Sequence, residues 1–132
     1  VLFARLVLLL TGLLFAGYGA FCLYNPDYLA GILVPGVEPS AALQSELRAM
    51  YGGLQLAFGL ALLGFLPKAR LRWGLWVMFF IFLGLAAART AGVVLDGGLA
   101  DGYVQAALVY EWLTFVIVVI SLWFLPRTTT HF

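Results

Sequence analysis

Residues 73–95, WGLWVMFFIFLGLAAARTAGVVL, decide how the chain folds: the run is apolar throughout and holds one charged side chain, Arg89. A hydrocarbon core about 30 Å thick needs about 20 such residues, each rising about 1.5 Å along a helix. Residues 6–23, 43–66 and 103–125 read the same way. Lipid offers no water to a bare peptide group, so each stretch must close its own backbone hydrogen bonds as a helix. The sequence therefore predicts an all-α integral membrane four-helix bundle, a single domain over 1–132, with helices near 6–23, 43–66, 73–95 and 103–125.

Composition agrees. Hydrophobic residues make up 64% of the 132, and seven Lys/Arg with six Asp/Glu are too few to cover a water-soluble globule. A formal charge of +1 leaves no basic patch for nucleic acid. Cys22 is the only cysteine and His131 the only histidine, so an internal disulfide and a Cys/His metal set are both excluded. Arg5, the leucine run after it and Gly17-Tyr18-Gly19-Ala20 also fit a cleaved signal peptide, but the apolar run continues to Leu23 and favours a retained span.

The longest connection, 24–42, reads YNPDYLAGILVPGVEPSAA. Pro26 after Asn25 predicts a short interfacial helix over 26–33, which Pro35-Gly36 ends. Lys68, Arg70, Arg72, Arg127 and Arg5 gather on one side of the predicted spans, which by the positive-inside rule puts both termini in the cytoplasm. Trp73, Trp76 and Trp123 near one set of helix ends, and Tyr24, Tyr28 and Tyr103 near the other, suit interfacial belts.

Orientation leaves two basic residues unexplained, Arg48 and Arg89, both in the outer half, where all six acidic residues also fall. Counting along ideal helices puts Arg89 about 9 Å and Glu111 about 12 Å below the outer helix ends. An isolated charge near the bilayer centre costs about 2.5 to 3.5 kcal/mol, so opposite charges at matched depth are expected to pair. Glu46 and Arg48, near the outer end of the second span, extend this to an expected four-charge network. Helical spacing places Ser45, Arg48, Gly52, Gln55 and Gly59 on one stripe, and Ala107, Glu111, Thr114 and Ser121 on another. Thr11, Tyr18, Cys22 and Asn25 share a face of the first span. Gly12, Ala16 and Ala20, and Gly84, Ala88 and Gly92, are candidates for close helix approach.

At Glu46–Gly59, ELRAMYGGLQLAFG, the sequence resembles a bacterial family of small four-helix membrane proteins known as domain of unknown function 4345. The resemblance continues through NPDYLAGIL, AARTAGVVLDG and YEWLT and covers essentially the whole chain. It implies a compact four-helix bundle related in general plan to DoxX-like membrane proteins, and it implies no activity.

The expected site is a polar pocket in the outer half, with Arg89 and Glu111 as its floor, Glu46 and Arg48 as its rim, and Tyr51 and Gln55 orienting a ligand. The same network also reads as a device that only fixes helix register. The main functional expectation is a non-catalytic membrane protein: an accessory subunit of a larger complex, a homo-oligomer, or a binder of a small amphiphile such as a lipid, quinone or pigment. No motif identifies a cofactor. One alternative is an enzyme on a sterol-like or isoprenoid substrate, with Glu111 or Glu46 as general acid. The other is a small proton-coupled transporter with Glu111 as the coupling carboxylate.

Overall fold

The computed structural model describes residues 1–99 and 101–126; Arg127 and His131 lie outside them. Among the described residues there are five helices and no strand: α1 Leu2–Tyr24, α2 Pro26–Leu33, α3 Ala41–Gly64, α4 Leu71–Asp96 and α5 Gly102–Phe124. All but α2 are long and apolar enough to cross a membrane. That is the signature of a multi-pass membrane protein. The short helix expected over 26–33 is α2, entered through Pro26 and buried along Pro26, Leu29 and Ala30.

The ends of the four long helices differ from expectation by about a turn or less, and local hydrogen bonding explains where. α1 starts before Arg5, whose N–H bonds the Val1 carbonyl at 3.0 Å. α3 starts early because the Ser40 hydroxyl accepts from the Leu43 N–H at 3.2 Å. It stops at Gly64, where Phe65 and Leu66 turn back onto the carbonyls of Leu62 and Leu63 in the tighter three-residue pattern. α4 ends at Gly97, whose φ of 82° is in the left-handed region that glycine adopts without strain. Asp101 opens α5 by accepting from the N–H groups of Tyr103 and Val104 at 2.8 and 3.2 Å.

The chain forms two compact units, Leu8–Leu66 and, separately, Val1–Val7 with the chain from Pro67 on. In the first, α1 and α3 meet along a seam of small residues. A Cβ on Gly59 would run into the Ala16 backbone nitrogen and lie 2.6 Å from the Gly12 carbonyl oxygen, and one on Gly52 would lie 2.7 Å from the Leu23 Cγ. A Cβ on Gly19 would meet the Leu56 backbone nitrogen. Bare backbones thus touch where lipid supplies little hydrophobic drive between helices. Phe15 packs edge-on to Phe58 beside the seam, ring centres 5.0 Å apart.

Gly12 and Ala16 therefore act as the sequence suggests, and Gly19 is a third close-packed position, since steps of four and then three hold one stripe. The same expectation fails at Gly84 and Gly92, where an added Cβ would meet nothing within 4 Å among the described residues.

Within α3, Arg48–Gly53 is a π-helical turn, its backbone bonds closing five residues back. This wide turn takes one extra residue and rotates everything after it by about 100° relative to an unbroken α-helix. The single polar stripe expected from Ser45 to Gly59 is split in consequence. Ser45 and Arg48 are exposed, Gln55 is half-buried, and Gly52 and Gly59 are buried in the seam.

In the other unit, α4 and α5 run side by side. Phe79 meets Phe115 at 5.2 Å and Phe82 meets Tyr110 at 5.9 Å between ring centres. α4 buries Leu71, Leu75, Met78, Phe82 and Ala86 at helical spacing. On α5 the expected polar stripe is real: Glu111, Thr114 and Ser121 are buried, with Val118 between them and Ala107 half-buried. The Arg72 Nη2 donates to the Leu125 carbonyl at 2.9 Å and ties the start of α4 to the end of α5. Large apolar side chains elsewhere, such as Leu10, Phe80 and Val109, are exposed as a lipid-facing surface requires.

Replacing Gly59 with leucine should destabilise the protein by about 1 to 3 kcal/mol, because a branched side chain has no room in the seam. The unfolding temperature in detergent checks this. Gly84→Leu, placed in open space, should change stability by less than about 0.5 kcal/mol.

Candidate functional site

Arg89 on α4 and Glu111 on α5 make a two-pronged ion pair. Nε donates to Oε2 at 2.8 Å and Nη2 donates to Oε1 at 2.7 Å. The parallel geometry follows from the planar fork of the guanidinium, which matches the two carboxylate oxygens. Counting from Asp96 and from Gly102, both groups lie roughly 10 to 14 Å inside the helix ends. Helix spacing alone delivers them there, with Glu111 on the buried stripe of α5 and Arg89 one turn beyond Ala86, the last buried residue of α4.

The pair is asymmetric. The Glu111 side chain is 6% exposed, whereas that of Arg89 is 25% exposed. At low dielectric the attraction between the two charges is far stronger than in water, and breaking it leaves a charge with no hydration to fall back on. The carboxylate is thus the enclosed partner and the arginine side chain the more exposed one.

The neighbouring residue on each helix repeats the link. Trp112 Nε1 donates to Thr90 Oγ1 at 3.0 Å, and the Thr90 hydroxyl donates to the Ala86 carbonyl at 2.7 Å. Trp112 also stands edge-on to Phe115 at 5.7 Å. Thr90 carries no sign of this role in the sequence beyond its place after Arg89, because its partner is an indole N–H that could equally have faced the interface. No buried side-chain nitrogen or oxygen among the described residues lacks a partner.

Of the six residues expected at the site, the structure joins Arg89 to Glu111. The other four, Glu46, Arg48, Tyr51 and Gln55, belong to α3 in the other unit. There Arg48 Nη1 donates to the Leu23 carbonyl, one of the last carbonyls of α1. A cation at a helix C-terminus satisfies a carbonyl that has no partner in its own helix and opposes the negative end of the helix dipole. Gln44 donates to Asp27 at 2.8 Å and ties α3 to α2. Tyr51, half-buried, sits within the π-helical turn, and Glu46 is exposed just before it. Among the described residues no cluster of His, Cys, Asp and Glu could hold a metal ion, and Cys22 is buried and unbridged.

Replacing only one member of the pair, by Arg89→Met or Glu111→Met, should cost about 3 kcal/mol, since the survivor is left charged in an apolar setting. The double variant should recover most of that loss, because two well-packed apolar side chains serve the same space. Thermal unfolding of the four proteins in one detergent measures the coupling.

No curated protein and no solved structure matches the sequence. A family model described as Domain of unknown function (DUF4345) matches residues 3–125, a range that takes in the ion pair and nearly all of the five helices. On that match the chain belongs to the DUF4345 family.

Proposed function

We propose that this protein is a non-catalytic component of the bacterial cytoplasmic membrane, with both termini in the cytoplasm, and that it binds a small amphiphile whose polar head meets Arg89. The observation that carries the reading is the asymmetric ion pair: Glu111 is enclosed and holds the guanidinium from one side, while a quarter of the Arg89 side chain stays accessible at membrane depth. A charge placed so far from the headgroups is costly, and such groups are functional candidates for that reason. A guanidinium held flat by a carboxylate is oriented in advance for a carbonyl, carboxylate or phosphate oxygen.

The orientation rests on the distribution of charge. Lys68, Arg70 and Arg72 sit at the turn from α3 into α4, whereas every acidic residue falls in the opposite half of the spans or in the connections beside it. Both oxygens of Glu111 accept from Arg89, an arrangement suited to holding a cation in place and poorly suited to donating a proton to a substrate. This is why binding is preferred to general acid catalysis, and why a coupling carboxylate for transport is also the weaker reading.

Native mass spectrometry of the detergent-extracted protein tests the proposal. The wild type should carry a small-molecule adduct, and the Arg89→Met, Glu111→Met double variant should lose it while remaining folded. A double variant that carries the same set of adducts as the wild type, or a protein partner bound in place of any small molecule, would contradict it.

A further inference from the structure

At the opposite end of the α4/α5 pair a groove of about 430 Å³ opens between the two helices. Arg72 stands at its mouth, Trp76, Phe79 and Val119 form its walls, and Trp123 and Leu125 border it on the α5 side. The groove therefore has a cationic end and an apolar, aromatic body. Arg72 is the second residue of α4 and Leu125 directly follows α5, so the cationic end lies at the level where the spans meet water.

Four observations say what fits there. The hydrogen bond from Arg72 Nη2 to the Leu125 carbonyl anchors the guanidinium at the groove mouth, so its charge is presented from a fixed position. Lys68 and Arg70, both exposed, precede it within the same short connection. No Asp or Glu occurs anywhere from 47 to 95, nor after Glu111, so no acidic neighbour along the chain offsets this charge. Tryptophans such as Trp123, 84% exposed, are the side chains that favour the boundary between headgroups and acyl chains.

We infer that this groove is a binding site for one anionic phospholipid. Arg72 meets the phosphate, Lys68 and Arg70 add attraction from the turn above, and one acyl chain lies along Phe79, Val119 and Leu122. Basic pockets between membrane helices select anionic headgroups on these grounds. A groove of this size takes the glycerol-phosphate region and the start of one chain, leaving the remainder in the bilayer. The site is about 25 Å along α4 from Arg89 and does not depend on the amphiphile reading given above.

Tryptophan quenching by brominated lipids tests the inference. The protein is placed in phosphatidylcholine vesicles containing either brominated phosphatidylglycerol or brominated phosphatidylcholine, and relative occupancy is read from the quenching. Brominated phosphatidylglycerol should be preferred in the wild type. Arg72→Gln, which keeps a donor for the Leu125 carbonyl but loses the charge, should lower the preference about fivefold. Val119→Trp keeps every charge and fills the groove, and should also abolish the preference; phosphatidylglycerol adducts counted by native mass spectrometry check this without relying on the added indole. Equal quenching by the two lipids in the wild type would overturn the proposal. So would a Val119→Trp protein with unchanged preference, which would mean that the basic turn acts only as a diffuse surface charge.

Discussion

A charged side chain in hydrocarbon must find an opposite charge or enough donors and acceptors, and Arg89 with Glu111 meets that demand in one bidentate contact. The rest of its unit is arranged consistently with it. α4 and α5 are joined by a short turn capped by Asp101, which keeps them adjacent, and the Trp112–Thr90 bond beside the pair fixes the same register from neutral groups. At the far end Arg72 closes the arrangement on the Leu125 carbonyl. Polar contacts between the two helices thus bracket the ring contacts of Phe79 with Phe115 and of Phe82 with Tyr110. An interface of apolar side chains alone resists sliding only weakly in lipid, because lipid tails compete on nearly equal terms.

The other unit solves the same problem by shape. Gly12, Ala16 and Gly19 on α1 face Gly52, Leu56 and Gly59 on α3, so the backbones come close enough for dispersion forces to act over a broad contact. The π-helical turn at Arg48–Gly53 lies at one end of that seam; within it Gly52 packs against Leu23 and Arg48 reaches the last turn of α1. One short segment therefore supplies both a tight backbone contact and a helix cap. Wide turns of this kind recur at functional positions in helices, and here the turn occupies the segment RAMYGG, within the match to the family.

The sequence made the spans legible because hydropathy over some 20 residues is a bulk property that no single contact overrides. The Arg89–Glu111 pair was legible for a related reason: two opposite charges at matched depth leave few other solutions. What escaped was geometry specific to the backbone. Hydropathy does not register a change from four-residue to five-residue hydrogen bonding, so the stripe from Ser45 to Gly59 read as continuous when the turn divides it. The acceptor for Arg48 is a main-chain carbonyl 25 residues away, which every residue possesses and no pattern marks. Small residues mark where close approach is permitted without saying where it occurs: the backbones touch at Gly19, whereas Gly84 and Gly92 have open space beside them.

The account turns on a direct contact between Arg89 and Glu111 inside the membrane, and solid-state NMR of the protein in lipid bilayers addresses it most directly. With ¹⁵N in the arginine guanidinium groups and ¹³C in the glutamate side-chain carboxyls, the account predicts a strong nitrogen–carbon dipolar coupling at hydrogen-bonding distance that Glu111→Gln weakens. Absence of that coupling in the wild type, with the Arg89 guanidinium in ready exchange with bulk water, would contradict it.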